Sequence, residues 1–193
     1  AKESINTASA NIEHSITLGK NADGTITQAP MNNGSSQYLV LTNTSWLGAF
    51  AALHNHPENT PLASGDIYAS VKLGVKNSSF TTTYILTNGE VYAIVVTDLA
   101  AAQAFVAEYP ADHLPGYNPE FPDFIFNQLQ DLVTPMGSSI EGKTAAIAFI
   151  LDKYNAGITL FKQDSNGEFK LIKTLETTIS DGSKTYNTIN PCN

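Results

Sequence analysis

WLGAFAALHNHPENTPLASGDIYASVKLGVKN, residues 46–77, decides how the rest of the chain is read. Its first eleven residues are apolar without clear alternation, which fits a buried strand, while the alanines also fit a helix. The two histidines at the end separate these readings. In a helix, residues two apart point about 200° from each other. In a strand, they project from the same side. Read as a strand, 46–56 delivers the His54 and His56 imidazoles together, and Pro57 turns the chain. Residues 64–77 read as a helix, because Ile67, Val71 and Val75 recur every fourth position and Ser64 or Asp66 can cap its start.

Working outward, FTTTYILTNGEVYAIVVTD (80–98) predicts a hairpin at Asn88-Gly89, the dipeptide best suited to a two-residue turn. The same logic predicts hairpins at Asp23-Gly24 within 14–30 and at Asn166-Gly167 within 157–176. QYLVLTNT (37–44) reads as a strand. Helices are expected early in 1–13, over 99–109 with Asp98 as its cap and Pro110 after its end, and over 124–133 and 139–155. The Pro-rich stretch 111–124 reads as a loop. Helices interspersed with antiparallel hairpins give an α+β (mixed α/β) class, with one domain over 1–176 and a polar tail over 177–193.

Apolar residues at 42% and charged residues at 15% are a globular balance rather than a disordered one. A net charge of -8 repels phosphate backbones, so nucleic acid is not expected as a partner. No run approaches the ~20 apolar residues of a membrane span, so no transmembrane segment is expected. The lone cysteine, Cys192, excludes both an intrachain disulfide and an all-cysteine zinc site. A surface rich in Asn, Thr and Ser and poor in Lys and Arg is of the kind carried by extracytoplasmic or secreted bacterial proteins.

His54 and His56 on one strand side, with Asp66 ten residues on at a helix start, can converge on one ion. Two neutral imidazoles and a carboxylate leave the fourth position of a tetrahedral Zn²⁺ open, the arrangement of a catalytic rather than a structural site. Such a site also needs a base outside the ligand set, usually a Glu. Of the nine Glu residues, Glu13 would be carried into the sheet by the first strand, and Glu58 lies two residues beyond His56. Residue chemistry leaves both open. The plain alternatives are an incidental His-X-His, an Asp66 that only caps a helix, and a Glu13 at a strand entrance.

His54-Asn55-His56-Pro57 followed by Ser64 and Asp66 resembles the metal motif of the JAB/MPN-type (JAMM) metalloproteases, an upstream Glu, then His-X-His-Pro, then Ser and Asp after a short loop. The resemblance covers roughly residues 13–75. It implies a helix-flanked β-sheet with one zinc, His54, His56 and Asp66 as ligands, Glu13 as the catalytic Glu and Ser64 as the oxyanion helper. The family spacing is Ser-X-X-Asp; here Ser64-Gly65-Asp66 is one residue shorter, or Ala63 stands at the serine position. The expectation is a zinc-dependent hydrolase acting on a peptide or isopeptide bond of a peptide or protein substrate. The alternative is a non-catalytic binding module that keeps the fold, with or without metal. The sequence leaves the oligomeric state open.

Overall fold

The decisive stretch is a strand. A computed structural model describes residues 1–8, 11–36, 40–46, 48–112 and 120–189. In it β4 (Ala49–Asn55) is followed by α2 (Ser64–Lys76). Ahead of them come α1 (Lys2–Asn6), β1 (His14–Lys20), β2 (Ile26–Gln28) and β3 (Asn32–Asn33). After them come β5 (Thr82–Thr87), β6 (Glu90–Val96), α3 (Leu99–Glu108), α4 (Asp123–Met136) and α5 (Ile140–Lys153). The chain closes with β7 (Ile158–Gln163), β8 (Phe169–Leu171), β9 (Lys173–Thr178) and β10 (Lys184–Ile189).

The main sheet runs β2-β1-β4-β5-β6-β7-β8, with β3 also paired to β1. Among the described residues only β4 and β5 pair in parallel, and α2 is the crossover between them. This is the expected α+β class, a mostly antiparallel sheet flanked by helices. At the β5–β6 turn Asn88 and Gly89 both hold positive φ, 48° and 77°, as a two-residue hairpin turn requires. Asp98 caps α3 by accepting the Ala101 N–H at 3.0 Å. Among the described residues, no helix is long and apolar enough to cross a membrane.

Alternation along the strands separates two cores. Ile85 on β5 and Ile94 on β6 pack with Ile67 and Val71 of α2, Phe105 of α3, Ile125 of α4 and Ile150 of α5. Leu86 and Val91 point the other way and meet Ile16 and Leu53 under Ile5 of α1. On β4, Leu53 goes to the α1 side, so Ala52 and His54 face α2.

Two expectations need correction. Residues 40–44 are not a strand, and 37–39 lie outside the described residues. Both edges of β1 are already taken, by β4 on one side and by β2 and β3 on the other. The 40–44 carbonyls are instead met by side chains: Ser15 Oγ donates to Leu41 O and Thr17 Oγ1 to Asn43 O. Within the polar tail expected over 177–193, residues 184–189 form β10, which pairs with β9 in a separate hairpin, and 190–193 lie outside the described residues. Thr174 of that hairpin is buried and donates to Ala145 O, and Tyr186 packs edge-on against Phe149.

The β1–β4 ladder shifts register between Leu18 and Gly19, where Gly19 and Gly48 approach each other beneath Trp46. A Cβ on Gly48 would stand 2.0 Å from the Lys20 carbonyl oxygen, a backbone atom with no rotamer to yield. Gly48→Ala is expected to cost about 1–3 kcal/mol, seen as a lower urea midpoint. A wild-type midpoint would show that this bulge is slack.

Candidate metal centre

Ladder arithmetic brings the site together. In the antiparallel β1–β4 pair Ser15 lies opposite His54. Continuing that register by two residues sets Glu13 opposite His56, on the face that carries His54 and looks toward α2. The His56 N–H still donates to Leu86 O at 2.9 Å, so the chain stays on the β5 ladder as far as His56. It then turns through Asn59, whose φ is 55°, and the loop is fastened to the β5–β6 turn. Asn88 N–H donates to Asn59 Oδ1 at 3.1 Å, and Thr87 Oγ1 donates to Thr60 O at 2.8 Å. Ala63 is the N-cap of α2, which places Asp66 at the third helical position. Asp66 Oδ2 reaches back to accept the Ala63 N–H at 2.7 Å.

Three side chains converge. His54 Nε2 lies 3.2 Å from His56 Nε2 and 3.1 Å from Asp66 Oδ1, and His56 Nε2 lies 3.5 Å from Asp66 Oδ2. Tetrahedral zinc with bonds of about 2.0–2.1 Å sets its ligand atoms about 3.3 Å apart. The imidazole–imidazole edge and the approach of Asp66 to each imidazole straddle that value, with Oδ1 facing His54 and Oδ2 facing His56, and one ligand atom from each residue lies within 4.8 Å of the others, so the donor set fits the ion. The His56 ring is also held from behind, because Nδ1 lies 3.1 Å from Thr60 O and 3.0 Å from Pro61 O. With its proton on Nδ1, Nε2 is free to serve as the ligand atom. Among the described residues His54, His56 and Asp66 form one group able to hold a metal ion.

The charges reinforce one another. Burial pulls the His56 imidazole down, but its hydrogen bond to Asp66 and the nearby Asp66 and Glu13 charges outweigh this and raise it to about 9. Burial pushes the Asp66 carboxyl up, yet the hydrogen bonds and charges of both histidines hold it well below the usual carboxylate range. Glu13, only 8% exposed, has its carboxyl raised above the usual value. Burial and the Asp66 charge push it up, and His54 and His56 pull it back only in part.

Glu58, the other candidate base, is exposed on the loop. Glu90 pairs with Lys162 at 2.6 Å and accepts from Tyr92 Oη. Ser64 lies inside the first turn of α2 and donates to Glu120 Oε2 at 2.5 Å, while Ala63 occupies the position three before Asp66. His14 faces away from the cluster, with Nδ1 2.8 Å from Asn33 Oδ1. Cys192 lies outside the described residues. A cavity of about 190 Å³ opens beside His56 and Pro57, bounded by Ile5, Asn59, Leu86 and Asn88.

Two contributors escape sequence reasoning, Asn55 and Thr60. Thr60 meets His56 Nδ1 through its carbonyl, which no residue type announces. Asn55, out of step with the histidines, points to the opposite face of the sheet, and an amide near the end of an apolar strand was the signal available. No protein-family model, no curated protein and no solved structure matches this chain.

Proposed function

We propose that the chain is a zinc-dependent hydrolase of JAB/MPN type that cleaves a peptide or isopeptide bond. The observation that carries this reading is the convergence of two imidazoles and a carboxylate, one ligand atom from each within 4.8 Å of the others, with a buried glutamate delivered to the same sheet face. His54, His56 and Asp66 hold the ion. Zinc bound there supplies a Lewis acid for the scissile carbonyl and acidifies a bound water. Glu13, raised by burial and set on the ligand face, would hold the proton given up by the attacking water and release it to the leaving amine. Ser64 Oγ, which donates to Glu120 Oε2, would have to turn from that carboxylate to serve the oxyanion.

A second reading, a non-catalytic module on the same fold, is favoured by Ala63, which brings no hydroxyl to the position where the family motif has its serine.

Elemental analysis of protein prepared without chelator, joined to hydrolysis of a mixed peptide and isopeptide panel, tests the two readings. The expected result is about one zinc per chain, with hydrolysis that a chelator removes and added zinc restores. Zinc without hydrolysis favours the binding module. No zinc, even after incubation with the metal, sinks the hydrolase.

A further inference from the structure

We infer that Asn55 is a positioning residue that sets the Glu13 carboxyl against the metal centre from the opposite face of the sheet. The inference rests on the hydrolase reading and assigns a role within that same site. Beyond His14, β1 has no strand pairing to β4, since the ladder between them ends at Ser15 opposite His54. The peptide groups on either side of Glu13 are held by one side chain instead. Asn55 Oδ1 accepts the His14 N–H at 2.6 Å, and Asn55 Nδ2 donates to Ile12 O at 3.3 Å. One amide thus brackets Glu13 on both flanks, continuing the ladder with side-chain atoms where the backbone ladder stops.

The other edge is fixed separately. Glu13 N–H donates to Ser36 O at 3.1 Å, and Gly34 N–H donates to Glu13 O at 2.7 Å. Glu13 is therefore clamped from both sides, and only the Asn55 clamp comes from the strand that carries the histidines. Asparagine between two ligand histidines fits the double task. It lies in the same rigid strand segment, points away from the ion, and offers one donor and one acceptor at amide geometry. Any displacement of β1 relative to β4 would change the distance from base to metal while leaving the ligand set intact, and small displacements of a base are costly in rate.

The test uses the cobalt-substituted protein, whose visible spectrum reports the ligand set and whose alkaline inflection reports protons exchanged at the centre. Wild type, Glu13→Gln, Asn55→Ala and Asn55→Thr are compared. Threonine suits a strand, but its single hydroxyl cannot bracket both groups, so it serves if alanine fails to fold. Hydrogen exchange at the His14 amide is measured in parallel. Both Asn55 variants are expected to bind one cobalt with the wild-type low-pH spectrum and to exchange His14 faster. Their inflection should move toward that of Glu13→Gln, by about one pH unit. Faster His14 exchange with an unmoved inflection overturns the inference while leaving the hydrolase reading intact. An inflection that Glu13→Gln also leaves unmoved overturns the base assignment and this role with it. Absence of cobalt from wild type overturns the metal reading itself.

Discussion

His56→Ala is expected to empty the metal site, lowering zinc affinity by at least about 10²-fold and abolishing hydrolysis. The variant leaves one imidazole and one carboxylate, too few to hold zinc tightly. The loss should not propagate through the fold. The ligand loop remains tied to the β5–β6 turn through Thr87 Oγ1 on Thr60 O and Asn88 N–H on Asn59. Asp66 keeps its bonds to His54 and to the Ala63 N–H. Circular dichroism should therefore match wild type while zinc per chain falls toward zero. Full zinc stoichiometry in the folded variant would sink the ligand assignment.

Glu13→Gln separates the base from the ligands. Glutamine keeps the shape and removes the proton-accepting oxygen, so zinc content should hold while turnover falls about 10²–10⁴-fold. KM should change little, since Glu13 is assigned to proton transfer and not to substrate binding. Folding stability should stay level or rise, because a carboxyl that burial already disfavours as an anion is replaced by a neutral amide. Glu58→Gln is the paired control and should leave turnover unchanged, since its side chain is exposed on the loop. Loss of turnover in Glu58→Gln alone would transfer the role to that residue.

The elements legible in the sequence are those specified locally. Asn88-Gly89, Asp23-Gly24 and Asn166-Gly167 each carry residues that tolerate positive φ, so three hairpins could be placed without knowing what they pack against. The period of two placed both histidines on one side, and the helix-start preference of Asp placed Asp66 near them. What stayed hidden depends on partners distant in sequence. Residues 40–44 have the composition of a strand but meet a β1 whose edges are already occupied. β10 is polar and mostly exposed on its own, and only its pairing with β9 and the packing of Tyr186 on Phe149 order it. The serine was ambiguous because the motif admits two helix starts one residue apart; the structure puts the cap at Ala63 and turns Ser64 toward Glu120. Whether Asp66 is a cap or lies among the histidines proved a false choice, since its two oxygens do both.

That double use ties the first turn of α2 to whatever sits between the imidazoles. Asp66 cannot leave the histidines without releasing the Ala63 amide, and the helix cannot fray at its start without withdrawing the carboxylate. Occupancy of the centre should thus be readable at a distance, as slowed exchange of the amides along Ser64–Lys76. The same lever works in reverse: a partner that grips or unwinds the start of this helix would load or discharge the centre without touching either histidine.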